Sequence, residues 1–143
     1  AIIQITDFSQ IEPWVTGKVE LKYFVYNAFG TIIKEKEFPK TKRKNIKAPT
    51  WKDYGDFITN WNTNNIGNWM IEGWVEQDNR GSAGGNTTSI SQSFPSACTG
   101  CPSTSIGYTI KKTDYDMGRT IIQFSDPISQ IYGISYANVK RKN

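Results

Sequence analysis

The stretch Val19-Glu20-Leu21-Lys22-Tyr23-Phe24-Val25-Tyr26-Asn27 decides the fold. Its side chains alternate with a period of two, so Val19, Leu21, Tyr23 and Val25 share one face and Glu20, Lys22, Phe24 and Tyr26 the other. That period belongs to an extended strand; a helix would gather its apolar residues every three or four positions. The segment from Asn68 to Glu76 repeats the pattern, with Trp69, Ile71, Gly73 and Val75 on one side and Met70, Glu72, Trp74 and Glu76 on the other. Between them, the turn Ala28-Phe29-Gly30 feeds a β-branched, charge-interleaved run from Thr31 to Phe38, which predicts a hairpin. Pro39 ends it, because proline has no N–H for the ladder.

Outward from these strands, Asp56 to Trp61 reads as a short strand, Asn62 to Asn65 as a turn, and Lys40 to Pro49 as a basic connector. Ile106 to Lys112, Arg119 to Phe124 and Ile131 to Val139 supply further strands, and no amphipathic helix of three turns occurs anywhere. The sum predicts an all-β protein, an antiparallel β-sandwich of about 7–9 strands. A single domain spans residues 1–143, with a Gly/Ser/Thr/Pro-rich loop at 78–105 and a weak strand within it at Thr87 to Phe94. Aromatic residues make up 13 % of the chain, more than a disordered polymer carries, so the chain is expected to fold. It begins Ala1-Ile2-Ile3, as expected of a processed or excised form, and no apolar run reaches the length of a membrane-spanning helix.

Histidine is absent, which excludes Ser-His-Asp and Cys-His catalysis and imidazole metal ligands. No phosphate-cradling glycine motif occurs; Gly81-Ser82-Ala83-Gly84-Gly85 lacks the lysine such a loop needs. Glu72 and Glu76 share a strand face, but four residues of strand separate them by about 13 Å, too far for a glycosidase pair, and they read as solvent-facing charges. Asp114-Tyr115-Asp116 and Glu76-Gln77-Asp78 are turn carboxylates that do not continue into a calcium-loop spacing. No enzyme activity, metal or cofactor is expected. The two cysteines, Cys98 and Cys101, lie in a Ser/Thr/Gly/Pro-rich run and read first as a local disulfide, with free thiols as the alternative. Asn86-Thr87-Thr88 is a glycosylation sequon, meaningful only in a secreting eukaryote.

Seven basic residues face two acidic ones between Lys34 and Lys47, and Lys140-Arg141-Lys142 adds a second basic cluster. Lys40-Thr41-Lys42-Arg43-Lys44, then Pro49-Thr50-Trp51, Phe57 and Val75-Glu76-Gln77-Asp78, resemble the order of features in a C2 domain over residues 1 to about 80. The resemblance implies an eight-stranded sandwich and anionic-lipid docking, although the full calcium-binding aspartate set is missing. A jelly-roll or Ig-like sandwich is the alternative to a C2-like one. If the Leu21 and Val75 faces point inward, Phe24, Tyr26 and Trp74 stand outward, and exposed rings mark an interaction site.

The leading expectation is therefore a non-enzymatic binding module, extracellular or at the cell surface, that presents Phe24, Tyr26 and Trp74 to a surface polysaccharide or other polymer. The alternative is a structural subunit of a filament, sheath or virion whose neighbouring subunits, further copies of itself in a homo-oligomer, cover those rings and the long loop. A C2-like module touching anionic lipid through Lys40, Lys42, Arg43, Lys44 and Lys47 is the third reading. Nucleic acid ranks below these, since the basic run carries no aromatic residue.

Overall fold

The computed structural model describes residues 2–5, 18–77, 86–96 and 99–141. Its strands in chain order are β1 (Ile2–Ile5), β2 (Lys18–Val19), β3 (Leu21–Asn27), β4 (Ile32–Glu37), β5 (Thr41–Lys42) and β6 (Lys52–Asp53). They continue with β7 (Trp69–Glu76), β8 (Thr87–Ser96), β9 (Ser103–Lys111), β10 (Tyr115–Gln123), β11 (Ile131–Ile134) and β12 (Ala137–Lys140). A 3₁₀ turn at Arg43–Asn45 and a four-residue helix α1 (Thr63–Ile66) complete the set. No described helix is long and apolar enough to cross a membrane.

The strands make an all-β, sandwich-like fold of antiparallel sheets. The central sheet runs β10-β7-β3-β4, and a second runs β11-β12-β1-β6. The β8–β9 hairpin forms a separate two-stranded layer, and β2 pairs with β5 in a short ribbon. On one side of the central sheet, Leu21, Tyr23 and Val25 of β3 and Met70 and Trp74 of β7 pack with Tyr132 of β11 and Ala137 and Val139 of β12. On its other side, Phe24, Tyr26, Ile71 and Val75 pack against Phe94 of β8 and Ile106, Tyr108 and Ile110 of β9. The alternation expected for β3 and β7 holds residue by residue. Both faces, however, are interior.

That double coverage corrects the expectation for the aromatic residues. Phe24, Tyr26 and Trp74 are 5 %, 4 % and 0 % exposed, so they are core residues rather than a solvent-facing platform. Trp74 is covered from the β11–β12 side, and Phe24 and Tyr26 by the β8–β9 hairpin, whose first strand falls where a weak strand was expected at Thr87 to Phe94, within the 78–105 segment otherwise expected to be a long loop. β8 occupies ten of its residues and pairs with β9 from Thr87↔Lys111 to Ser96↔Ser103. β9 alternates buried and exposed residues along its whole length, as a one-sided outer strand must. β8 shows its strand character only weakly, because Thr87, Ser89, Ser91 and Ser93 make its outer face and its inner one has Phe94 buried and Ile90 half-buried beside exposed Thr88 and Gln92.

Several local expectations also change. Asp56 to Trp61 is not a strand; it crosses the edge of the core as an irregular segment, held by side-chain bonds described below. The Asn62 to Asn65 turn is the start of α1, where the Asn62 side chain accepts from the Asn64 N–H as an N-cap. Gly67 follows it at φ 85°, and a Cβ there would stand 2.5 Å from that of Ala28, so only glycine fits this chain reversal. The basic connector contains β5 and the 3₁₀ turn, and Ile131 to Val139 divides into β11 and β12 around Ser135-Tyr136. Glu72 and Glu76, read as solvent-facing, are buried on the Trp74 face of β7.

Candidate functional site

A pocket of about 330 Å³ opens beside the Trp74 face of the central sheet. Met70, Glu72 and Trp74 of β7 form its floor, because alternate residues of one strand share a face. The Asp56–Trp61 segment makes one wall; Val139, Lys140 and Arg141, with Ile128, make the opposite one. Phe57 is 66 % exposed at the mouth, and Ile128 is also exposed. Trp61 is fixed by its indole N–H, which donates to the Gly67 carbonyl at 2.9 Å, and its ring meets Phe124 edge-on at 5.5 Å. The pocket thus combines aromatic surface with polar groups of both signs.

Two carboxylates line it in opposed electrostatic states. Glu72 is buried, and desolvation pushes its pKa up to about 7, although the Trp74 indole N–H donating at 3.3 Å and the charge of Arg141 favour the ionised form. Asp56 is held down at about 2, against its desolvation, by the Lys36 ammonium, the Tyr23 hydroxyl and the Lys34 ammonium. Lys34 and Lys36 reach its Oδ1 at 3.0 and 2.8 Å, and the Tyr23 hydroxyl donates to Oδ2. Lys34 also donates to the Phe57 carbonyl, so this ion cluster is the clasp that shapes the pocket wall. Arg141 reaches across to the Asp126 carbonyl at 2.9 Å, and among the described residues its buried Nε has no acceptor.

Asp56 cannot readily serve as a nucleophile or base, since both its oxygens are already bonded to the clasp. Glu72 has one oxygen engaged by Trp74 and is the carboxylate that remains for a ligand.

Of the three aromatic residues singled out in the sequence, Trp74 reaches this pocket, while Phe24 and Tyr26 lie on the opposite side of the sheet under the β8–β9 hairpin. The Tyr26 hydroxyl donates to the Gly107 carbonyl at 2.9 Å, and the Phe24 ring stacks on Tyr108 with centroids 4.4 Å apart. Trp61 and Arg141 escaped the sequence reading, and Phe57 and Glu72 were weighed there for other roles, because the four come together only when the 56–61 segment and β12 fold against β7. An exposed Phe beside Asp56 was the one available signal.

The basic residues separate. Lys40, Lys42 and Lys44 line a second concavity of about 580 Å³, to which the distant Lys18 and Lys52 also contribute. Arg43 and Lys47 do not line it; both are tied into the 3₁₀ turn, where the Arg43 carbonyl accepts the Lys47 N–H at 2.8 Å. Cys101 sits just before β9 and Cys98 lies outside the described residues.

Comparison with family models, with curated proteins and with solved structures gave no match.

Proposed function

We propose that the protein is a non-enzymatic, extracellular or cell-surface binding module whose ligand is carbohydrate, taken in the pocket beside Trp74. The observation that carries this reading is the exposed Phe57 ring standing at the mouth of a pocket that holds the Glu72 carboxylate and Arg141. Sugars present apolar C–H faces and hydroxyls that both donate and accept; a ring supplies the first need and a carboxylate with a guanidinium the second. Trp61 adds a second, immobilised ring. Asp56, saturated by its lysines and Tyr23, shapes the site without reacting. The reading includes a Cys98–Cys101 disulfide, as an oxidising compartment favours.

The test is a glycan array of neutral oligosaccharides followed by calorimetry. Binding is expected, weakened about tenfold or more in Glu72→Gln, since a hydrogen bond to a charged group contributes roughly 1.5–3 kcal/mol. Phe57→Ala should weaken it too without altering the fold, because that ring lies mostly in solvent. Absence of binding at millimolar sugar, or equal affinity in Phe57→Ala, would remove the proposal; release of reducing ends would overturn its non-enzymatic half.

A further inference from the structure

The concavity at the β2–β5 ribbon gathers lysines from several elements. Lys18 and Lys42 are direct cross-strand partners in that antiparallel ribbon, and both line the concavity. Side chains opposite one another in such a pair stand roughly 5 Å apart at Cβ, and like charges there oppose pairing. Lys44 and Lys52 converge on the same space from the 3₁₀ turn and β6. Among the described residues, Lys40 pairs with Glu20, whereas Lys18, Lys42 and Lys44 have no ion-pair partner. Among the described residues, Asp53 is the one carboxylate on the lining. A ribbon of two residues per strand, bearing a repulsive pair and joined by further ammonium groups, is arranged for an anion to sit between them.

We propose that this groove binds a linear polysaccharide bearing sulfate or carboxylate groups, at a site separate from the Trp74 pocket. Three features select that class. The lysines line a concavity, which a flexible chain enters and a planar bilayer surface cannot fill. Among the described residues, none of the exposed large apolar side chains lies on the lining to insert into lipid. Its one aromatic residue, Tyr54, packs on Phe38 at 4.4 Å and is overlain by the Lys52 ammonium at 5.8 Å, leaving no bare ring for a nucleic-acid base. Ammonium groups are compact point charges suited to dispersed sulfates or carboxylates.

The experiment is calorimetry of the full chain with dextran sulfate, polygalacturonate and uncharged dextran, with phosphatidylserine-containing vesicles and a single-stranded oligothymidine as competing probes. Binding to one or both charged polysaccharides is expected, with none to dextran. By counterion release from about four lysines, affinity should fall on the order of a hundredfold between 50 and 200 mM salt. The double variant Lys42→Gln/Lys44→Gln should lose at least tenfold, while Lys112→Gln, outside the groove, and Phe57→Ala, at the pocket, keep wild-type affinity for the polyanion. Failure of neutral oligosaccharides to bind therefore tests the pocket alone. In the absence of ligand, Lys18→Gln should melt at a higher temperature than wild type, because it relieves the cross-strand repulsion. No binding to either charged polysaccharide, affinity unchanged in the double variant, or tighter binding to vesicles or oligothymidine would overturn the proposal.

Discussion

Glu72 places its carboxyl among Trp74, Met70 and Tyr23, where the charged form loses its water and gains a single indole donor. The acid is therefore easier to protonate folded than unfolded, and this fixes the sign of its effect on stability. The native state binds the extra proton between the ordinary glutamate value of 4.5 and about 7, so stability falls as pH rises through that window. The full shift corresponds to on the order of 3 kcal/mol. Asp56 has the opposite sign. Held at about 2 instead of 3.8, its stabilising contribution is present above the unfolded value and lost as pH falls toward the folded one. Urea midpoints measured from pH 2 to pH 9 should thus pass through a maximum near the middle of the acid range. Glu72→Gln, which keeps an acceptor for the indole, should flatten the fall above about pH 5 and leave the acid limb unchanged. A wild-type profile that is flat between pH 5 and 8 would show that Glu72 does not carry this load.

At the level of the element, β7 and the β8–β9 hairpin fit through a missing side chain. A Cβ on Gly73 would lie 2.9 Å from both Cε1 and Oη of Tyr108, whose hydroxyl accepts from Arg119 Nη1 at 2.9 Å. In a strand, alanine ordinarily improves on glycine by roughly 0.5–1 kcal/mol. Here it must displace a buried ring that also stacks on Phe24, and overpacking of that kind costs about 1–3 kcal/mol. Gly73→Ala is expected to destabilise, and Gly73→Ala with Tyr108→Phe to recover part of the loss; denaturant titration of the pair checks both. The same hairpin marks where sequence reading stops. The registers of β3 and β7 were legible because Val19 through Tyr26 and Trp69 through Glu76 alternate cleanly. Which face was inside was not, since a strand in a middle layer is apolar on both and its cover lies elsewhere in the chain. β8 spends eight of its ten residues on exposed positions outside any apolar rhythm, so its Ser/Thr content gave only the weak strand read at Thr87 to Phe94. The pocket was less legible still. Trp74 was named for it, but on the premise that it faced solvent, and Phe57, Glu72 and Arg141 meet through contacts that no local pattern encodes.

For the whole molecule, β3 and β7 are shared property of two cores. Loss of the β11–β12 side bares Tyr23 and Trp74, and loss of the hairpin bares Phe24, Tyr26, Ile71 and Val75, so neither layer can leave without exposing the sheet between them. Unfolding is expected to be a single transition. Ile110→Ala under the hairpin and Val139→Ala on the other side should each cost a few kcal/mol, in the range of about 2–5 for a large-to-small core change at isoleucine. Each should shift far-ultraviolet circular dichroism and tryptophan emission together. Separate transitions for the two probes would mean that the layers fold independently.

β4 is one edge strand of the central sheet, and from Lys34 to Glu37 its side chains alternate Lys, Glu, Lys, Glu. Lys22 reaches across to Glu35 at 2.6 Å, and Lys34 and Lys36 turn toward Asp56, so the rim is wrapped in charge tied down on its own side. Such a border is a poor template for a stray chain seeking to add itself by backbone pairing, and it guards a strand-heavy polypeptide against fibre growth.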